Sequence, residues 1–178
     1  MNKVVFLDRD GTINVDHGYV HEVDRWEFVP GAIEGMKQLQ AAGFTLTIIT
    51  NQSGIGQGLY TLEQMEEVHR HMYEELESQG VEIAALAYCP HARDGEPCAC
   101  RKPETGMADI IEETVGPIDY SASWAIGDKE ADVGFGKKLD TQTILIRSKY
   151  WDEESLRVRP DFVAESLLEA AGTLLDHK

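Results

Sequence analysis

Positive charge is what this sequence lacks most. Sixteen Lys and Arg stand against 32 Asp and Glu, a formal net charge of −16 at pH 7. A surface this acidic has no basic stripe with which to displace the counterions of a nucleic acid, which excludes that class of partner. The same field repels anionic small molecules at long range, so an anionic substrate requires local cations or a metal ion to reverse it. Long apolar runs are missing too. Nothing approaches the roughly 18 consecutive apolar residues of a membrane span, and no basic N-terminal stretch leads into an apolar one with a cleavage site. No membrane partner and a cytoplasmic location are the expectations. Cysteine is scarce: Cys89, Cys98 and Cys100 are the only three. An odd, clustered set is a poor disulfide framework and a good metal loop. Repeats, low-complexity tracts and linkers are absent, which predicts one domain over 1–178. No helical pattern shows an exposed apolar stripe, which predicts a monomer.

What the sequence does contain is a succession of short apolar runs, at 4–7, 44–50, 83–88, 124–126 and 143–146. Helical patterns separate them, at 32–42, 62–78, 106–113, 131–139 and 164–175. The second of these starts at Thr61 with Gln64 three residues on, the signature of a capping box. Runs that are apolar throughout imply burial on both faces, hence an α/β, Rossmann-like fold with a mostly parallel sheet between helices. Ligands of such sheets bind beyond the carboxyl ends of the strands.

The first run ends as VVFLDRDGTIN, residues 4 to 14. Two carboxylates one residue apart, Asp8 and Asp10, would share one face of a continuing strand and repel each other, so a positive group is expected between them. The second run ends in Thr50, Asn51, Gln52 and Ser53. The third leads into the cysteine segment and Arg101-Lys102, and the fourth ends in Gly127-Asp128-Lys129. A carboxylate pair with a hydroxyl, an ammonium and a further carboxylate suits phosphoryl transfer through a covalent intermediate. Taken singly, each piece also reads as a turn, a cap or a surface charge; their joint placement at strand ends favours chemistry.

CPHARDGEPCAC, starting at Cys89, supplies Cys89, His91, Cys98 and Cys100. Four N/S ligands in a closed set suit tetrahedral, structural Zn²⁺ in a loop over about 89–103, which would hold Arg101 and Lys102 in place. The alternative is three incidental thiols and a surface histidine.

The motifs DRDGT (8 to 12), TIITN with Thr50, CRKP with Lys102 and GDKEAD (127 to 132), in that order, resemble those of the haloacid dehalogenase (HAD)-like phosphatases across nearly the whole chain. The resemblance implies a HAD fold in which Asp8 is the nucleophile that forms an aspartyl-phosphate and Asp10 the acid and base. It implies Mg²⁺ held by Asp8, the carbonyl of Asp10 and Asp128, with the backbone of Lys129 as a further contact. Thr50 and Lys102 would bind the transferring phosphoryl group, and Asp132 would act behind them, on a metal-bound water or on Lys102.

The zinc loop and the small space for a cap narrow the resemblance to the group of histidinol-phosphate and heptose-bisphosphate phosphatases. The run DRDGTINVDHGYVHEVD, then TNQSGIGQG, CPH, CxCRKP and GDKEAD, most resembles the members that act on the sugar, and this implies removal of its 7-phosphate in nucleotide-activated heptose biosynthesis. Asp16, His17, Gly18 and Tyr19, Asn51 to Ser53, and Arg101 would then contact sugar hydroxyls and the phosphate that is retained. DHGY also reads as a simple turn. The six-residue spacer between His91 and Cys98 predicts a loop too short to reach far over the substrate. Histidinol phosphate remains the alternative substrate. A phospho-acceptor signalling domain is the rival of another class, and Asp10 is the residue that argues against it. A zinc-stabilised binding protein with a degenerate pocket is opposed by the intact motif set.

Overall fold

The computed structural model describes the whole chain, Met1–Lys178. Six strands, β1 Val4–Leu7, β2 Thr45–Asn51, β3 Ala85–Cys89, β4 Trp124–Gly127, β5 Gln142–Ile146 and β6 Phe162–Ala164, form one sheet in the order β3-β2-β1-β4-β5-β6. Every pairing is parallel, with Leu7 opposite Ile48 on one side and Ile126 on the other. Six helices accompany it: α1 Ala32–Ala41, α2 Ser53–Gly56, α3 Leu62–Ser78, α4 Gly106–Val115, α5 Glu130–Lys138 and α6 Leu167–His177.

The strands are apolar throughout because both sheet faces are covered. Val5 and Leu7 of β1 point into a core with Met36 and Leu39 of α1, Met72 of α3 and Leu174 of α6. Val4 and Phe6, offset by one residue, enter the opposite core with Met107 and Ile111 of α4 and Phe135 of α5. The capping box at Thr61 and Gln64 is formed on both sides. No helix is long and apolar enough to cross a membrane. Between β1 and α1 there is only one short 3-10 turn, Val23–Arg25, and no cap domain.

One local expectation is corrected. The pattern at 164–175 merges two elements: Ala164 ends β6, and the helix begins at Leu167 with Ser166 as its N-cap, accepting from the Glu169 N–H. A three-residue strand is too short to show a period. It is placed instead by Asp161, whose carboxylate takes hydrogen bonds from the Thr143 N–H and hydroxyl at 2.8 Å each. The glycine-rich run after Asn51 forms the turn of helix α2. Glycine is required there, since a Cβ on Gly56 would lie 2.4 Å from the Ala92 nitrogen of the cysteine loop.

β1 is central, with β2 and β4 on its flanks. The segments leaving these three carboxyl ends are therefore neighbours, at the point where the strand order reverses.

Candidate active site

Asp8 leaves β1 still tied to the sheet, its N–H donating to the Ile126 carbonyl at 2.9 Å. The chain then turns at once: the Arg9 carbonyl accepts from the N–H groups of Thr12, Ile13 and Asn14. Gly11 is needed in that turn, with φ +88° and no room for a Cβ, which would stand 2.2 Å from Asp128 Oδ2. The strand does not continue, so Asp8 and Asp10 do not share one cation. Each has its own.

For Asp8 the cation is Lys102, whose Nζ donates to Asp8 Oδ1 at 2.7 Å, Asp132 Oδ1 at 2.6 Å and the Ile49 carbonyl at 2.9 Å. Burial alone would discharge this ammonium, but the two carboxylates outweigh it and raise its pKa. Asn51 holds the lysine's backbone, accepting from its N–H at 3.0 Å and donating to its carbonyl at 3.3 Å.

For Asp10 the cation is Arg9. Nε and Nη2 reach Asp10 Oδ2 and Oδ1 at 3.1 and 2.9 Å, a two-pronged pair. Asn14 donates to Oδ1 and Gln52 to Oδ2, each at 3.1 Å. Burial opposes ionisation here, yet Arg9 prevails and holds the carboxyl below its usual range. Gln52 also donates to Thr50 Oγ1 at 2.7 Å, and Tyr60 Oη donates to its Oε1 at 2.5 Å.

Asp128 lies across from Asp8, with Lys129 Nζ 2.9 Å from its Oδ1. Burial, then the Asp8 charge, push its carboxyl up to about 8 despite Lys129. Carboxylate oxygens of Asp8, Asp128 and Asp132 fall within 4.8 Å of one another. Asp132 is fully engaged, by Lys102 and by the Lys129 N–H at 3.0 Å. Asp8 and Asp128 each retain an oxygen, an all-oxygen donor set suited to a hard divalent cation.

These groups line a cavity of about 300 Å³. Asn51, Gln52, Ser53, Arg101 and Lys102 are brought to it, as are Asp16, Gly18 and Tyr19. Thr50 and Asp128 sit behind its wall, reached through Gln52 and Lys129. His17 is not brought to it; its Nε2 lies 3.1 Å from Glu27 Oε2. The cysteine loop, though short, reaches the cavity through Arg93 and Arg101. Tyr150 was missed by the sequence reading, as were Arg9 and Tyr60. Its hydroxyl donates to Asp16 Oδ2 at 2.6 Å, over Lys129, whose Nζ is 4.4 Å from the ring centroid. The same strand-end criterion, applied to β5, marks it: Tyr150 lies just past Ile146.

The four loop ligands also converge. Cys89 and Cys100 each lie 3.7 Å from the Cys98 sulfur, and His91 Nδ1 is 3.4 and 3.2 Å from the sulfurs of Cys89 and Cys100. A tetrahedron of thiolates about 2.3 Å from zinc has edges of about 3.8 Å, so this cluster has the dimensions of a zinc site.

A family model described as HAD-hydrolase-like matches residues 99–170. The D-glycero-beta-D-manno-heptose-1,7-bisphosphate 7-phosphatase of Pasteurella multocida is 39% identical over 177 residues, covering 95% of each chain. Its Escherichia coli K12 counterpart is 44% identical over 151 residues, 81% of this chain and 78% of that one. The chain belongs to this family of HAD-like phosphatases. The family's fold is equally clear in three dimensions. The crystal structure of D,D-heptose 1,7-bisphosphate phosphatase from B. bronchiseptica, complexed with magnesium and phosphate, superposes with a TM-score of 0.84 at 29% identity over 99% of both chains.

Proposed function

We propose that the chain is a magnesium-dependent phosphomonoesterase that removes the 7-phosphate of D-glycero-β-D-manno-heptose 1,7-bisphosphate. The observation that carries this reading is the meeting of Asp8, Asp10, Lys102 and Asp128 around one cavity, in a chain 37–44% identical to phosphatases named for that substrate.

Asp8 attacks phosphorus in line with the ester bond. An aspartyl-phosphate forms as the bond from phosphorus to O7 breaks, and Asp10 delivers a proton to O7. Asp10 then takes a proton from the water that attacks the aspartyl-phosphate, releasing phosphate and restoring Asp8. In the free site Arg9 keeps Asp10 ionised; a phosphate dianion entering beside it favours the protonated form the first step needs. Lys102, held charged, binds the transferring oxygens, and the Thr50 hydroxyl, covered by the Gln52 amide in the free site, joins it when Gln52 gives way to the substrate. Mg²⁺ held by Asp8, the Asp10 carbonyl and Asp128 supplies neutralisation of the charge that nucleophile and phosphate bring together. Lys129 orients Asp128 through its ammonium. Its carbonyl accepts the Asp132 N–H at 2.9 Å in the first turn of α5.

Arg93 and Arg101 face the cavity and form no ion pair, unlike Lys102 and Lys129, which are committed to carboxylates. Two free guanidinium groups favour a substrate with a second phosphate over histidinol phosphate, which would bring a cation. Zn²⁺ in the Cys89, His91, Cys98 and Cys100 cluster is structural, since all four positions are filled by protein. The enzyme works as a single-domain cytoplasmic monomer.

Raised Asp128 makes metal binding pH-dependent. Its carboxyl must ionise to hold Mg²⁺, so below about 8 binding expels a proton and affinity falls, by up to about tenfold per pH unit. The metal-free protein responds oppositely: the folded state holds this proton more tightly than the unfolded chain, so the contribution to stability is lost as pH rises from about 4 through 8. Titration calorimetry in buffers of differing ionisation enthalpy is expected to show proton release at about pH 7 and none at about pH 9.

The substrate is tested by phosphate release with Mg²⁺ from both anomers of the heptose bisphosphate and from histidinol phosphate. The β anomer is expected to lead in kcat/KM by about tenfold or more. A lead for histidinol phosphate overturns the sugar assignment, and no magnesium-dependent release from any of the three overturns the reading itself.

A further inference from the structure

Arg9 is the largest of the fully buried side chains. A guanidinium out of water is tolerated only when its donors are paired. Nε and Nη2 go to Asp10, Nη2 also to the Val20 carbonyl at 2.9 Å, and Nη1 to His69 Nε2 at 3.0 Å. The Trp26 ring closes another side, 5.9 Å from Cζ. Arginine can only donate, so His69 Nε2 accepts and its ring is the neutral tautomer with the proton on Nδ1. Burial, then the Arg9 charge, hold that imidazole neutral far below ordinary working pH, with its pKa down at about 3.

His69 stands on the inner face of α3, where Met65, Val68, Met72 and Leu76 are also buried. It lies outside the cavity and 60 residues from Arg9. Rotation of the guanidinium would break its bonds to His69 and Val20, so these two acceptors fix the plane of the fork. The carboxylate gripped by the fork is fixed with it. Of the other two partners of Asp10, the amides of Asn14 and Gln52, only Gln52 lines the cavity, and its place is the one a substrate oxygen can take. A neutral acceptor at position 69 also leaves the full charge of Arg9 to Asp10, whereas a carboxylate there would share it.

We propose that His69 is a positioning residue: through Arg9 it sets the angle from which the Asp10 carboxyl reaches the leaving oxygen. This rests on Asp10 as the acid, as assigned above.

The test is leaving-group dependence. A sugar alkoxide needs Asp10, whereas p-nitrophenolate leaves unaided. For His69→Leu, kcat/KM on the heptose bisphosphate, which reports the steps up to the aspartyl-phosphate and not its hydrolysis, is expected to fall about tenfold, and kcat/KM on p-nitrophenyl phosphate less than about twofold. His69→Gln, which restores an acceptor, is expected to recover the sugar activity to within about threefold of wild type. Arg9→Lys keeps the charge without the fork and is expected to show the same selective loss, which keeps the test available if His69→Leu fails to fold. Equal loss on both substrates, or no loss on either, overturns the proposal. Wild-type protein inactive on both would remove the phosphatase reading, and the proposal with it, before any substitution is made.

Discussion

Asp8→Asn is expected to abolish phosphate release, by about 10⁴-fold or more, while the fold survives. The substitution keeps shape and removes the nucleophile. Its effect on stability follows from the local charges: Asp8, Asp128 and Asp132 are buried beside two ammonium groups, Lys102 and Lys129. With Asp8 made neutral, Asp128 is relieved of the charge that, after burial, raises its carboxyl, and it can ionise to leave two of each sign. Lys102 keeps Asp132 Oδ1 and the Ile49 carbonyl as acceptors. The metal-free variant is therefore expected to melt at or above the wild-type temperature, against the usual cost of altering a buried ion pair. Phosphate release with Mg²⁺ and a thermal melt check both halves. Residual turnover above about 1% of wild type would remove Asp8 as nucleophile.

Cys98→Ser is expected to lose zinc and to lower Tm by roughly 10 °C, because a structural zinc site contributes its binding free energy to folding. The loop has little else to hold it. Of residues 90–100 none is buried, and its backbone ties to the core outside the ligands are two, the Gly56 N–H donating to the Pro90 carbonyl and the Gly106 N–H donating to the Ala99 carbonyl, each at 2.8 Å. Lys102, in contrast, is anchored independently by Asp8, Asp132 and Asn51. The loss should thus be divided: KM for the bisphosphate rises because Arg93 and Arg101 are no longer held, while kcat on p-nitrophenyl phosphate at low temperature is nearly kept. Metal analysis and a melting curve decide; a zinc-replete variant of unchanged Tm would remove the site.

Much of the convergence at the candidate site was legible in the sequence because a parallel sheet gathers its strand ends. Asp8 and Asp128 follow apolar runs and Thr50 ends one, positions that any right-handed doubly wound topology brings to one edge, whereas Lys102, beyond the cysteine loop after β3, is held there by Asn51. The cysteine loop was legible for a similar reason, since its four ligands lie within a dozen residues and local chain geometry can close them.

What sequence alone did not determine is which cation serves which acid. Arg9 stands between two carboxylates in the chain and could have paired with either. Burial against Trp26, Val20 and His69 turned it to Asp10, and Lys102, 94 residues from Asp8, took the other. The meeting of Tyr150 with Asp16, 134 residues apart, and the departure of His17 towards Glu27 likewise depend on where the tertiary structure brings their segments. Local patterning specifies elements because it acts over one turn or one strand. Partners across the site depend on how those elements are stacked, and only the tertiary structure contains that information.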